Sequence, residues 1–122
     1  MPILDVQPVL GDGESIAPLL AQGIADAAAR VFGSAPGRVW VRVTPLPSSH
    51  YAENDSAPDA TPRPVFVTVL HAHPPEQEAR ASEAAALTLA LAAVMGRAPE
   101  LVHVQYAPAA AGRQAFGGTL VP

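Results

Sequence analysis

The sequence predicts an α+β fold in which two tandem βαβ units form a single domain spanning residues 1–122. Three observations predict it: an internal repeat, apolar patterns that change between strand and helix spacing, and a length of 122 residues. A chain of this length buries one substantial hydrophobic core but not two independent ones. We therefore expect the two units to share one core.

The two halves of the chain carry the same residue pattern. Residues 32–45 match residues 95–108 at an offset of 63, sharing a glycine, an Ala-Pro pair, a Val-x-Val pattern and a proline. The strand starts at residues 2–6 and 64–68 match at an offset of 62. Such self-similarity predicts two copies of one supersecondary unit.

The repeats span about residues 2–45 and 64–108. The residues between them, about 46–63, form a polar, proline-rich loop for which we predict at most a short hairpin. After the second repeat, residues 112–121 predict a short edge strand that follows a turn. The paired glycines of this tail allow a close approach of the backbone.

Each unit opens with an apolar strand and continues with a helix. In the first unit residues 2–9 form the strand, and apolar side chains then recur at helical spacing over residues 16–31. We expect Ser15 to cap the amino terminus of this helix and Gly33 to end it in a left-handed conformation. The corresponding helix of the second unit is expected to end at Gly96.

The second strand of each unit alternates between two faces. Val39, Val41 and Val43 point one way in the first unit, and Val102, Val104 and Tyr106 do so in the second. The opposite face carries Trp40, Arg42, His103 and Gln105. Because the valine face must cover the helices, the opposite face is open to a partner subunit or a pocket.

Composition excludes several kinds of chemistry. The chain has seven arginines, no lysine and eleven acids, a net charge of -4, which argues against a nucleic-acid surface. It has no cysteine, which excludes disulfides and thiolate metal sites, and without lysine no lysine Schiff base forms.

No apolar run is long enough for a membrane span, and acids in the first helical segment argue against a leader. We predict a cytoplasmic protein.

Pro2 directly follows the initiator methionine at the start of the first strand. If Met1 is removed, the strand begins with a free secondary amine, which is a strong base and nucleophile in water. Desolvation or nearby cations lower the pKa of such an amine toward neutrality, where a general base works best. Pro64, at the equivalent place in the second repeat, is an internal amide and lacks this basicity.

The amino-terminal Pro-Ile strand, the two tandem βαβ units and the Phe-Gly-Gly tail beginning at Phe116 together resemble the tautomerase superfamily. This group includes 4-oxalocrotonate tautomerase (4-OT), malonate semialdehyde decarboxylase, cis-3-chloroacrylic acid dehalogenase and macrophage migration inhibitory factor (MIF). The resemblance implies a four-stranded sheet with two helices on one face, packed as a homotrimer. It also implies that Pro2 is the catalytic group.

Other positions depart from the family pattern. Short tautomerases place an arginine in the loop after the first strand, where this chain has Asp12, and the fused decarboxylases carry Arg-x-Arg where it has His71 and His73. Histidines bind a carboxylate weakly when neutral, although the helix start beside His73 favours an anion. Alternatively, these histidines are polar residues of a strand end, or an H-x-H metal pair with His103 as third ligand.

The resemblance implies further substrate-binding positions. His103 and Gln105 take the places of an aromatic and an amide that line the family's pocket on its last βαβ strand. Arg38 begins the second strand, where relatives place a polar residue contributed by a neighbouring subunit, and it could hold a carboxylate. Phe116 matches the tail aromatic that closes an apolar wall, which would also exclude water from Pro2.

The leading hypothesis is an isomerase in which Pro2 moves a proton on a small enol or 2-oxo acid, without a cofactor. Isomerisation needs one base, one polar contact to an oxygen and an apolar wall. One alternative is a decarboxylase or hydratase, which would need an added carboxylate. Another is a non-catalytic trimeric binding module that has lost the arginines. A ferredoxin-like sensor shares the element order but gives no reason for proline at position 2.

Overall fold

A computed structural model of the chain describes residues 1–57 and 61–122. The elements in chain order are β1 (Ile3–Leu10), α1 (Leu20–Phe32), β2 (Trp40–Val43), β3 (Leu46–Pro47), β4 (Val65–Leu70), α2 (Gln77–Met95), β5 (Val102–Tyr106), β6 (Ala115–Phe116) and β7 (Thr119–Leu120). Short 3₁₀ turns lie at Ser48–His50 and Pro99–Leu101. Within the described ranges, no helix is long and apolar enough to cross a membrane.

The main sheet has the strand order β2-β1-β4-β5. β1 pairs in parallel with β2, β4 pairs in parallel with β5, and β1 and β4 meet antiparallel at the centre. Each parallel pair is connected through one helix, as a βαβ unit requires. The predicted α+β fold of two βαβ units is therefore confirmed.

The loop between the two units begins differently from its prediction. Leu46 and Pro47 form β3, which pairs in parallel with Val9 and Leu10 of β1. β1 is eight residues long and β2 only four, so β1 has a free edge that β3 occupies. The remaining described residues of this loop, up to 57 and from 61, contain no hairpin, and residues 58–60 lie outside the described part.

The core lies between the sheet and the two helices. Its buried residues are Leu4 and Val6 of β1, Ile24, Ala27 and Ala28 of α1, Val65, Val67 and Val69 of β4, Leu87, Leu91 and Ala92 of α2, and Val102 of β5. β4 shows the alternation directly, because every second side chain is buried and the others are half-buried. The valines predicted to face the helices at positions 39, 41 and 43 pack against this core.

The opposite side of the sheet, which we call the open face, carries the alternate residues. They are Ile3, Asp5, Gln7, Trp40, Arg42, Phe66, Thr68, Leu70, His103 and Gln105. Trp40, His103 and Gln105 are solvent-exposed there. The prediction that the two helices leave one sheet face uncovered agrees with this arrangement.

The start of α1 is not where Ser15 predicted it. The helix begins at Leu20, and no side-chain hydrogen bond caps it. Pro18 has no N–H to donate, and the turn before the helix is closed by the Leu20 N–H, which donates to the Ala17 carbonyl at 3.1 Å. The expectation that Ser15 is the N-cap is therefore wrong.

The helix ends are as predicted, and they give a first testable expectation. Gly33 and Gly96 follow α1 and α2 with φ of 64° and 63°. No atom lies near the site of an added Cβ at Gly33, so Gly33→Ala adds backbone strain and no clash. We expect the free energy of unfolding to fall by about 1 kcal/mol in Gly33→Ala. Gly33→Asn should lose less, because asparagine tolerates this conformation; equal losses measured by urea denaturation would contradict the explanation.

The tail forms a hairpin and not an edge strand of the main sheet. β6 and β7 pair antiparallel with each other in a separate two-stranded sheet. Gly117 and Gly118 join them, both with positive φ, which is the conformation of a type I′ hairpin turn. Because the tail pairs with itself, Phe116 is free to pack against the main sheet through its ring.

Candidate active site

Pro2 lies buried at the start of the central strand β1. Its carbonyl accepts a hydrogen bond from the Trp40 N–H at 3.1 Å. The next residue, Ile3, pairs with Trp40 on one side and with Leu70 on the other. Pro2 therefore stands at one end of the sheet, which we call the proline end, where β1 and β2 begin and β4 and β5 end.

An aromatic pair stands beside this end. The rings of Trp40 and Phe116 meet edge to face, with centroids 4.9 Å apart and planes at 81°. The Trp40 indole N–H donates to the Gly37 carbonyl at 3.1 Å, which fixes the ring over the turn before β2. Phe116 therefore packs on Trp40, which pairs with Ile3, the residue after Pro2.

Arg38 also lies at the proline end. It comes two residues before Trp40, and its side chain is exposed to solvent. In the described part of the chain no acidic side chain forms an ion pair with it. By contrast, Arg42 pairs with Asp5, and this contact raises the pKa of Arg42. Arg38 is a cation available to a ligand.

His71 reaches the proline end from β4 but faces the helices. Its Nε2 lies 2.9 Å from Glu83 Oε2 of α2, and both side chains are largely buried, with 13% and 16% of their area exposed. The Tyr106 hydroxyl donates to the same Glu83 oxygen at 2.7 Å. The imidazole stacks on the Tyr106 ring and meets the edge of Phe32. His71 thus takes part in a hydrogen-bonded cluster with a carboxylate.

Burial, together with the hydrogen bond to Glu83, raises the pKa of the Tyr106 phenol well above its usual value. The folded chain therefore keeps this proton at a pH where the unfolded chain releases it. This contribution to stability is complete below about pH 10 and is lost as the pH rises further.

Tyr106→Phe tests this linkage. At pH 7 we expect the free energy of unfolding to fall by about 1 kcal/mol, because Glu83 loses a donor. Above about pH 10 the difference between the variant and the wild type should shrink, since ionisation of Tyr106 then favours the unfolded wild type. Urea denaturation across this range measures the difference; a gap that stays constant with pH would contradict the assignment.

His73 does not share the surroundings of His71. The chain bends at Ala72 and His73, so the strand alternation that would place both rings on one side is lost. The exposed His73 ring instead lies 3.1 Å, through Nε2, from the Pro122 carbonyl oxygen. Among the described residues no group of three potential ligands could hold a metal ion, so the H-x-H metal hypothesis gains no support.

His103 and Gln105 lie on the open face, away from Pro2. His103 pairs with Phe66, five residues before His71 on β4, or roughly 16 Å along the strand. Gln105 donates to Thr68 Oγ1 at 2.8 Å, roughly 10 Å along the strand from the level of His71. One chain therefore gathers Pro2, Arg38, His71, His73 and Phe116 at one end, but not His103 and Gln105.

Sequence reasoning missed Glu83 and the hydroxyl of Tyr106. A signal for Glu83 was present: it lies one and two helical turns before Leu87 and Leu91, which are fully buried. A carboxylate in that apolar row needs a polar partner inside the protein. The partners themselves could not be read from spacing, because Tyr106 ends β5 and His71 follows β4, two segments far apart in the sequence.

Comparison with known proteins identifies the fold. No protein-family model matches the sequence, and no curated protein is significantly similar to it. Among solved structures, Pt0534 inactivated by 2-oxo-3-pentynoate matches with a TM-score of 0.74 and 19% identity over 97% of this chain and 94% of that one. A wild-type fused 4-OT, a symmetric trimer, matches with a TM-score of 0.74 and 17% identity over 98% and 94%. MIF from Oncomelania hupensis matches with a TM-score of 0.71 and 15% identity over 100% and 83%.

At these identities the likeness establishes the fold. The chain has the fold of the tautomerase superfamily, as the Pro-Ile strand, the paired βαβ units and the Phe-Gly-Gly tail predicted. Its two βαβ units in one chain align with the solved fused 4-OT chains over nearly the full length of both.

Proposed function

We propose that this protein is a tautomerase that uses the Pro2 amine to move a proton on a small enol or 2-oxo acid. The observation that carries the proposal is the position of Pro2, buried at the head of the central strand in a tautomerase fold. Removal of Met1 makes the Pro2 nitrogen a secondary amine. Burial favours the neutral, basic form of that amine at neutral pH.

The surroundings of Pro2 supply the other parts of such a site. Arg38 is an exposed guanidinium at the same end, suited to bind a substrate carboxylate through two hydrogen bonds. The Trp40–Phe116 pair gives an apolar wall on the open face. The Pro2 nitrogen carries the proton that the carbon gains as the enol loses its hydroxyl proton, so that the carbonyl forms without any change in oxidation state.

We also propose that the chain acts as a homotrimer. Trp40, Ile3 and Leu70 form an apolar row across the open face next to Pro2, and Trp40 is 49% exposed in the single chain. A neighbouring copy that covers this row could bring its own His103 and Gln105 toward Pro2, which a single chain does not. We expect a solution mass of three times the chain mass of 12.5 kDa, by light scattering.

The test of the catalytic proposal is covalent labelling with 2-oxo-3-pentynoate, the compound that inactivated Pt0534. A free Pro2 amine should add to the alkyne and carry one equivalent of the probe, located by mass spectrometry on the amino-terminal peptide. A control chain with one uncleaved residue before Pro2 should stay unlabelled there. Labelling elsewhere, or of both proteins equally, would refute the proposal.

The alternatives give different outcomes in the same assays. Carbon dioxide release or water addition to a short unsaturated acid, dependent on Pro2, would indicate a decarboxylase or hydratase. A wild type that is as inactive as Pro2→Ala on enols and unsaturated acids would indicate a non-catalytic trimeric module.

A further inference from the structure

We propose that His71 is a second proton carrier beside Pro2, and that Glu83 and Tyr106 hold its ring in the tautomer that this role requires. This role rests on the proposed function of Pro2, since both groups would act on one substrate. Glu83 and Tyr106 are positioning residues in this scheme, because they contact His71 and not the substrate.

His71 lies beside Pro2 across the β1–β4 ladder. Ile3 and Leu70 form the last pair of the antiparallel β1–β4 ladder, and Pro2 and His71 each come one residue beyond it. Continuing the register by one residue places their Cβ atoms about 5 Å apart on the same side of the sheet. The imidazole is therefore the titratable side chain next to Pro2 just beyond the end of β4.

The contact with Glu83 sets the tautomer of the His71 ring. Glu83 Oε2 already accepts the Tyr106 hydroxyl, and a carboxylate offers no proton to the ring. The His71 Nε2, 2.9 Å from that oxygen, must therefore carry the hydrogen and donate it. The neutral ring then has its lone pair on Nδ1, the nitrogen that acts as a base.

The other ring nitrogen of His71, Nδ1, is left for a substrate to contact. Nδ1 of His71 has no hydrogen-bond partner within the described ranges, and no buried side-chain nitrogen or oxygen there lacks one. Nδ1 is therefore not completely sealed from solvent, although most of the side chain is buried. A base with one nitrogen held by a carboxylate and the other open is arranged as in known acid–base dyads.

The proposed step is balanced in protons and electrons. His71 Nδ1 takes the hydroxyl proton of the enol while the Pro2 amine, which has first taken up a proton from solvent, gives that proton to the carbon. The O–H bond breaks, the C–H bond forms, and the C=C electron pair becomes the new C–H bond as the carbonyl appears. A proton then returns from His71 to Pro2 through solvent, which restores both groups.

The charged and titratable groups around His71 are few. Glu83 faces it from α2 and Tyr106 faces it from β5, while Arg80 of α2 lies close enough to influence Tyr106. Phe32 of α1 contributes only an aromatic ring. Because Glu83 stands beside the ring, His71 is poorly placed to bind a substrate carboxylate, and proton transfer suits its surroundings better.

The tautomer is measured by ¹⁵N NMR of the histidine rings, without any assay of activity. At pH 8 the wild type should show His71 protonated at Nε2 and unprotonated at Nδ1. In Glu83→Gln the two tautomers should mix, whereas Glu78→Gln, at an exposed position of the same helix, should leave the spectrum unchanged. A wild-type ring protonated at Nδ1 would overturn the inference.

Kinetics with the enol of phenylpyruvate separate a proton carrier from a structural contact. His71→Gln keeps an N–H donor for Glu83 but removes the basic nitrogen. We expect kcat to fall by about 100-fold with KM changed less than about 3-fold, and with circular dichroism unchanged. A purely structural His71 would tolerate glutamine.

The outcomes distinguish this inference from the proposed function. If Pro2→Ala abolishes turnover while His71→Gln keeps kcat within about 2-fold of the wild type, His71 is not a proton carrier and Pro2 acts alone. If the wild type is inactive, or Pro2→Ala has no effect, the proposed function fails and the inference fails with it. A fall in kcat for both variants, with the predicted tautomer, supports both.

Discussion

Placing one uncleaved residue before Pro2 is expected to lower kcat at least about 100-fold, because the Pro2 nitrogen becomes a peptide amide. An amide nitrogen has no available lone pair, so it can neither take up a proton nor give one to the carbon. No side chain changes in this variant, and the free energy of unfolding should stay within about 0.5 kcal/mol of the wild type. Turnover of a phenylpyruvate enol and urea denaturation measure the two quantities.

Pro64 provides a matched control for substitutions of Pro2. Both prolines are buried at the start of the first strand of a unit, but the Pro64 nitrogen lies inside the chain. Pro2→Ala replaces a secondary amine with a primary one and should lower kcat strongly, whereas Pro64→Ala should affect stability more than kcat. Equal losses of activity would mean that the prolines matter for packing and not for chemistry.

The largest loss of stability is expected from Leu87→Ala, at about 2–5 kcal/mol in the free energy of unfolding. Leu87 of α2 is fully buried in the core between both helices and the sheet. Truncation removes its apolar area from the core and leaves a cavity that closely packed neighbours cannot fill. A loss of this size is a large fraction of the stability of a small domain.

Leu89, two residues further along α2, is the matched control because 62% of it is exposed. Leu89→Ala should change the free energy of unfolding by less than about 0.5 kcal/mol. Both variants should be unfolded in urea at one chain concentration, since a trimer links stability to concentration. Equal losses for the two leucines would contradict the assignment of the buried face of α2.

Much of the fold was predictable because local patterns determine it. The alternation of valines set the covered face of β2, and glycines fixed both helix ends. The start of α1 was mispredicted because Ser15 is a good capping residue in isolation, while Pro18 delays regular hydrogen bonding. β3 was missed because its pairing depends on the spare length of β1, a property of the assembled sheet.

The candidate site was predictable only in part. The sequence position of Pro2 led to the role proposed for it, and the tail motif led to Phe116, which packs on Trp40. The histidines were interpreted as replacements for carboxylate-binding arginines, yet His71 is held by Glu83 and His73 lies at Pro122. These partners come from distant segments, so no local spacing could reveal them. His103 and Gln105 remain predictions whose test requires the proposed trimer.

The most direct test of the central claim is a ¹⁵N NMR titration of the Pro2 nitrogen in the mature protein. We expect a single amine resonance that titrates at or below about pH 8, because a buried amine favours its neutral form. A Pro2 nitrogen with the shift of a peptide amide and no titration would contradict the claim. In that case the tautomerase fold would serve a purpose other than proton transfer by proline.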